Sequence, residues 1–382
     1  MEISSLTNKF IPAKPASKEA EKPLPAAENK IGNTDNKTSS KAAANYFKAA
    51  QSINFGGTSG FKIKKLEDVP CPCCGLIMLT PDSTKKHVNR LNMAKGNKLA
   101  DRIEQEEEPV FRSNERACAM MAAKTARGTD MNLMQAINKA NENLPANFNN
   151  ICTDVLLNAS VYCEENFGEN SEIFKFLMSK TDNFNQNNDF YRPNLTEELA
   201  KFKNTIPEDK YNALEDMIMK MPLDYKSVEK VMKTIVGKSP TIIAQTLYAP
   251  SLATAEHVHP HSLGGKNTAA NFLSECAGCN NPRSSMSYLE WLKIHPEFSR
   301  NPQVYIEHVE GRIVNGELPD SYYSYPVDIK ETLTSESEGH INLKVLDKDK
   351  LIELRNAKKA GQEVDIHAET EKSEETEKTE EE

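Results

Sequence analysis

The stretch from Glu256 to Asn280, EHVHPHSLGGKNTAANFLSECAGCN, decides the expected fold together with the short run CPCCG at residues 71–75. Each stretch contains one Cys-x-x-Cys pair, and the paired residues are Cys71, Cys74, Cys276 and Cys279. The chain opens without an apolar export signal, so we interpret such pairs as metal ligands rather than disulfides. Four thiolates from two knuckles predict a closed, tetrahedral site for a structural zinc ion.

The first knuckle leaves one assignment open. Gly75 suits the left-handed turn that such a knuckle needs, which favours Cys71 and Cys74 as ligands. Cys73 then becomes the middle residue, although it could replace a neighbour. About 200 residues separate the two pairs. Closing so long a loop costs roughly 2.7 kcal/mol more than closing a ten-residue loop, whereas structural zinc contributes about 10–16 kcal/mol. The alternatives are two unrelated knuckles or pairing between chains.

The second stretch also carries groups suited to metal-dependent phosphodiester hydrolysis. His257 has a side chain whose ordinary pKa, near 6.5, suits a general base at neutral pH. Glu256 offers the hard oxygen that Mg²⁺ or Mn²⁺ prefers. Asn280 directly follows Cys279, so a zinc knuckle would fix its orientation, and we expect a helix to start just after it. His261 is predicted either to contact a phosphate or simply to be an exposed loop residue.

The spacing of these residues resembles the HNH endonuclease family, which has the ββα-metal fold, in the form that contains a zinc site of four cysteines. The resemblance covers residues 71–75 and 256–283. It implies that Glu256 and Asn280 hold the catalytic ion, and that His257 activates the attacking water. It also implies that Asn271 braces the loop, that Arg283 lies near the substrate phosphate, and that the four cysteines bind zinc. The family usually has Asp at the position of Glu256.

The rest of the chain predicts an α+β protein that is mostly helical. A small ββα-metal core with zinc would be interrupted by a large helical insertion, between disordered N- and C-terminal arms. The expected divisions are a disordered arm at 1–60, the first knuckle and hairpin at 61–82, the helical insertion at 83–249, the HNH core at 250–300, a packing helix and loop at 301–330, and a polar linker with an acidic disordered tail at 331–382.

Charge is unevenly distributed along the chain. The net charge is -9, but residues 362–382 hold ten acids against two lysines, which leaves about -1 for everything before them. A basic stretch at 83–102 has a net charge of +5 and predicts either a helix that grips nucleic acid or a solvated helix face. No apolar run is long enough to cross a membrane, so we expect no membrane contact and a cytoplasmic protein.

These observations make a metal-dependent endonuclease acting on nucleic acid, with DNA preferred, the leading hypothesis. A second hypothesis is a zinc-stabilised module that binds nucleic acid without cutting it. A third is a largely helical interaction or effector protein in which zinc only supports folding. Protein partners and the oligomeric state are not predicted.

Overall fold

The computed structural model describes Leu66, residues 68–184 and residues 190–366. The predicted arm at 1–60 and the final residues of the acidic tail lie outside this range. Within it the chain is mostly helical, with a single two-stranded antiparallel sheet. The α-helices are α1 Pro81–Asn92, α2 Gly96–Asp101, α3 Ser113–Ala126, α4 Leu133–Asn141, α5 Leu144–Phe167, α6 Glu172–Asp182, α7 Arg192–Ala200, α8 Glu208–Met219, α9 Tyr225–Ile235, α10 Pro240–Tyr248, α11 Ala277–Arg283, α12 Tyr288–Ile294, α13 Asn301–Val314, α14 Tyr325–Glu336 and α15 Lys348–Lys359.

The helices α1–α10 pack around one apolar core, which we call the helical unit, residues 81–248. Its elements follow local rules that the sequence displays. In α8, for example, Pro207 precedes the helix, acidic residues fill the first turn, and Leu214 and Ile218 point inward. The neighbouring helix α7 begins at Arg192, and Pro193 fits the first turn of a helix.

The buried residues of a second apolar core come from two parts of the chain, between Leu66 and Met78 and between Ala253 and Leu354, and we call it the hairpin core. Its sheet pairs β1, Ala253–His257, with β2, Phe272–Cys276. In this register Ala253 faces Cys276 and His257 faces Phe272. The first knuckle is a tight turn whose two sides are joined by a backbone hydrogen bond, which Cys71 N donates to Leu76 O at 2.8 Å.

The two ends of the helical unit meet beside the sheet. Leu79 N donates to Ser251 O at 2.9 Å, and Ala253 N donates to Leu79 O at 2.8 Å. The first knuckle therefore lies directly beside the start of β1, although more than 170 residues separate Leu79 from Ser251. The insertion holds its own ends together, which removes most of the loop-closure cost of joining the two knuckles.

The C-terminal part of the hairpin core corrects one expectation. Residues from 331 onward were expected to form a polar linker, yet α14 and α15 pack onto the core. Ile341, Leu343 and Leu346 are at most 3% exposed. Two tyrosines on α13 and α14 brace β2: the Tyr305 hydroxyl accepts from Ser274 N at 3.3 Å, and the Tyr325 hydroxyl donates to Phe272 O at 2.9 Å. No helix in the described part of the chain combines the length and apolar character that a membrane span requires.

Candidate functional site

The four cysteines of the two knuckles meet in one cluster. Their sulfur atoms all lie within 4.8 Å of one another, and Cys74 Sγ is 3.7 Å from Cys276 Sγ. A Zn–S bond of about 2.3 Å places the sulfurs of a tetrahedral site roughly 3.8 Å apart, so the cluster has the right dimensions for zinc. Cys71, Cys276 and Cys279 are fully buried. The prediction that remote knuckles share one site is confirmed, and the cluster could hold a metal ion such as zinc.

The backbone around the cluster favours negative charge on sulfur. Cys276 N donates to Cys71 Sγ at 3.4 Å, and Gly75 takes the expected left-handed conformation with φ of 70°. Burial raises the pKa of the Cys71 thiol, but hydrogen bonds from the neighbouring thiols outweigh burial and leave it well below its ordinary value.

Cys73 lies outside the four-sulfur cluster. Its thiol donates to Glu275 Oε1 at 2.8 Å and lies 3.9 Å from the Tyr288 hydroxyl. Burial raises the pKa of Glu275 to about 8, and the charge of Cys71 adds to that effect. The middle cysteine of the knuckle is thus committed to a buried hydrogen bond, which agrees with its interpretation as a bystander.

The loop between β1 and β2 is braced by the side chain of Asn271. Its Oδ1 accepts from His259 N at 2.8 Å, while its Nδ2 donates to His259 O and to Lys266 O, both at 3.0 Å. Asn271 is only 6% exposed, so these bonds are shielded from water. One amide thereby connects both sides of the loop that follows His257.

His257 lies at the end of β1 and is partly exposed. Its ring packs on the cross-strand residue Phe272, with centroids 4.4 Å apart. Its Nε2 lies 2.8 Å from Asn267 Oδ1. With Nε2 as the donor to this amide oxygen, the lone pair of the ring resides on Nδ1. The exposed ring of His261 follows at 5.5 Å, so two imidazoles share this end of the sheet.

Glu256 precedes His257 but is 8% exposed and interacts with Arg283. The Arg283 Nη2 donates to Glu256 Oε1 and, at 2.7 Å, to His257 O. Burial raises the pKa of Glu256 to about 7, and the guanidinium of Arg283 only partly opposes that rise. Within the described residues the second carboxylate oxygen of Glu256 accepts no hydrogen bond.

The position of Arg283 corrects the expectation that it contacts a substrate phosphate. Its side chain is completely buried. Besides the bonds to β1, Nη1 donates to Met286 O at 2.8 Å, and Nε lies 3.7 Å from Glu275 Oε2. The guanidinium also lies 4.8 Å from the centre of the Tyr288 ring. Two buried carboxyl groups on adjacent strands need a cation between them, and Arg283 supplies it.

Asn280 also differs from its expected setting. It was expected to precede a helix, but α11 begins at Ala277, immediately after β2, and Asn280 lies inside it. Its Nδ2 donates to Thr254 Oγ1 at 2.9 Å. Thr254 and Glu256 are two residues apart in β1 and share one face of the strand. The amide of Asn280 is therefore held over the face of β1 that carries Glu256.

Two site contacts were missed from the sequence. Asn267 belongs to the quoted motif, and its spacing after the two glycines was the available signal, but no role was assigned to it. Glu336 lies on α14, and its Oε1 is 3.0 Å from His259 Nδ1. The contact with Glu336, followed by the hydrogen bond with Leu263 O, raises the pKa of His259. No local pattern links Glu336 to a loop 77 positions away.

Comparisons of the chain with models of known protein families, with curated proteins and with solved structures found no match.

Proposed function

We propose that this protein is a metal-dependent endonuclease of the HNH type that hydrolyses phosphodiester bonds in DNA. The observation that carries the proposal is the arrangement of three groups on one hairpin and its following helix. A carboxylate, an imidazole that contacts the side chain of Asn267, and a primary amide adjoin a four-cysteine cluster. A purely structural metal site has no need of the first three groups.

His257 is the proposed general base. Its Nε2 is held by Asn267, so Nδ1 is the atom that accepts a proton from the attacking water. Packing on Phe272 fixes the plane of the ring, and the Asn271 amide holds the loop that follows. His261 lies beside the ring on the exposed side, where we propose that it contacts the substrate phosphate.

Glu256 and Asn280 are the proposed ligands of the catalytic ion. They present hard oxygens from one side of β1, which suits Mg²⁺ or Mn²⁺. Arg283 engages only Oε1 of Glu256, which leaves Oε2 for coordination. Such an ion, when bound, neutralises charge on the phosphate and the leaving oxygen. The cysteine cluster would bind Zn²⁺ and hold the second knuckle in place.

The proposed substrate contact is the basic stretch at 83–102. Most of it lies on α1 and α2, and α1 begins beside the entry to β1. Lys85, Lys86, Lys95 and Lys98 are exposed, and none forms an ion pair with a side chain that the structure describes. Exposed lysines suit the phosphate backbone of DNA, and their contribution would decline steeply with salt.

One observation favours the second hypothesis, a zinc-stabilised module that binds nucleic acid without cutting it. The ion pair between Glu256 and Arg283 neutralises the carboxylate that should hold the catalytic ion. In that case Glu256 would have a structural role. The helical interaction protein has no comparable contact in its favour.

The decisive experiment is nicking of supercoiled plasmid with added Mg²⁺ or Mn²⁺. Wild-type protein is compared with His257→Ala and with the matched control His308→Ala, which removes an exposed histidine on α13. We expect His257→Ala to lose about 10²–10⁴-fold of the rate and His308→Ala to retain it. Equal nicking by wild type and His257→Ala would exclude His257 as the base. Plasmid binding without nicking, with either ion, would establish the binding module instead.

A further inference from the structure

An arginine from the helical unit lies against the second knuckle. Arg112 immediately precedes α3, and its side chain crosses from the helical unit to the hairpin core. A Cβ atom placed on Gly278 would lie 2.0 Å from Arg112 Nη1 and 3.0 Å from Cζ. The guanidinium therefore rests directly on the backbone between Cys276 and Cys279, and only glycine allows this approach.

The contact leaves a buried donor without a partner. Arg112 Nη1 is shielded from solvent and makes no hydrogen bond to any described residue. An unsatisfied charged donor in the interior is unfavourable unless an opposite charge lies nearby. The contact with Gly278 places this donor beside the second knuckle of the cysteine cluster.

We propose that Arg112 is a positioning residue of the metal centre. It offsets the negative charge that four thiolates retain around a divalent ion, and so couples metal binding to docking of the helical unit. This inference rests on the cysteine cluster alone. It would hold for a protein that does not cleave DNA.

The charges around Arg112 support this role. Four thiolates and one divalent ion carry a net charge of about -2, which a buried site must balance. The side chains whose charge acts on Arg112 are Cys279, Cys276 and Cys74 of the cluster, followed by Glu115 on α3. The close approach to Gly278 places the guanidinium beside the two cysteines of the second knuckle.

Neighbouring cations do not turn this region into an open anion site. A cavity of about 450 Å³ borders Cys74 and is lined by Arg112, Arg192 and Arg300, among others. Arg192 donates to Met219 O and Met221 O, at 2.9 and 2.8 Å. Arg300 pairs with Glu215 and Asp216 of α8. These two guanidiniums are committed to the helical unit, whereas Nη1 of Arg112 faces the knuckle.

The test measures Zn²⁺ affinity of the full chain by competition with a chromophoric chelator. Arg112→Met removes the charge at similar length, Arg112→Lys retains it, and Arg116→Met is a control on the helix that follows. We expect Arg112→Met to weaken Zn²⁺ binding about 10–100-fold, as the loss of outer-shell partners of metal ligands typically does. Arg112→Lys and Arg116→Met should remain close to wild type. The thiolate-to-Co²⁺ absorption band should show that all variants keep four sulfur ligands.

Stability of the metal-free chain separates this role from ordinary packing. Arg112→Met should leave the metal-free protein at least as stable as wild type, because it removes a buried donor that has no partner. Wild-type Zn²⁺ affinity in Arg112→Met, or equal destabilisation with and without Zn²⁺, would overturn the proposal. If Arg112→Met does not fold, Gly278→Ala provides the test. Its added methyl displaces the guanidinium without removing charge, and it should weaken Zn²⁺ binding as well.

Discussion

Replacing Arg283 by methionine tests whether this arginine serves the fold or the substrate. The change removes donors to Glu256, to His257 O and to Met286 O. It also leaves Glu256 buried without its cation. Two bonds to neutral carbonyl oxygens, taken at about 1 kcal/mol each, and one bond between two charged groups at about 1.5–3 kcal/mol together suggest a loss of roughly 3.5–5 kcal/mol. Breaking a buried ion pair from one side typically costs about 3–5 kcal/mol, so the two estimates agree.

The assay is equilibrium unfolding in guanidinium chloride followed by fluorescence of Trp291. This is the only tryptophan of the chain, and it is 3% exposed in the hairpin core that contains Arg283. Arg283→Lys keeps a cation but loses the forked geometry, so its loss should be intermediate. Lys293→Met, on the exposed side of α12, should change stability by no more than about 0.5 kcal/mol.

Two further results would check the reasoning. Combining Arg283→Met with Glu256→Gln should cost less than the separate changes together, by roughly 1–3 kcal/mol of coupling energy. The penalty of Arg283→Met should also shrink at pH 5, because Glu256, with a pKa of about 7, then binds a proton in the folded state. A loss below about 1 kcal/mol at pH 8 would refute the structural role. If Arg283→Met keeps its stability but loses plasmid cleavage, Arg283 contacts the substrate instead.

Three other perturbations have defined outcomes. Asn271→Ala should lose about 2–4 kcal/mol of stability, because it removes three shielded hydrogen bonds. Asn271→Asp should also lose stability: it keeps the acceptor for His259 N, but its buried carboxylate faces the carbonyl oxygens of His259 and Lys266. Trp291 unfolding measures both, and equal stability of wild type and Asn271→Ala would contradict the loop-bracing role. Burial raises the pKa of Glu310 to about 8, so the stability of the wild-type protein falls as pH rises from the pKa of the unfolded state, near 4.5, to about 8. Glu310→Gln should be as stable as wild type at pH 5 and more stable by up to about 4 kcal/mol at pH 9. A stability advantage that does not depend on pH would disprove this. Removing metal with a strong chelator should accelerate hydrogen exchange in the knuckle residues 69–79 and 277–283 far more than in α5, and unchanged exchange in the knuckles would show that the cysteine cluster holds no structural ion.

The cysteine cluster was predictable because each knuckle alone supplies too few ligands for a structural zinc site. A Cys-x-x-Cys pair supplies two ligands, and a structural tetrahedral site needs four, so each pair implied the other despite their separation. Gly75 could be assigned its left-handed turn for a similar local reason. The sequence pattern did not show how the chain brings the two knuckles together. The backbone bonds of Leu79 to Ser251 and Ala253 depend on how the helical unit folds.

Composition obscured the C-terminal part of the hairpin core. Charged residues dominate after position 331, and this favoured a polar linker. Five of the apolar residues among them are buried, namely Ile341, Leu343, Leu346, Leu351 and Leu354. They contact residues far away in sequence, so neither helical nor strand periodicity marks them strongly. The early start of α11 has a comparable cause: Gly278 lowers helix propensity, and tertiary contacts at the knuckle override it.

The arginines show most clearly what a sequence leaves undetermined. A basic residue three positions after Asn280 suggested contact with a phosphate, and Arg112 attracted no interpretation at all. In the structure each of them faces buried acidic groups. Arg283 lies beside the carboxyl groups of Glu256 and Glu275, and Arg112 lies beside the cysteine cluster. A charge is worth most where water is excluded, so the burial of its partner decides whether an arginine stabilises the fold or binds a ligand. That burial is set by the packing of two cores, and it cannot be read from local spacing. The lysines of α1 and α2 have no such partner among the described side chains, and for that reason they are better candidates for binding phosphate than either arginine.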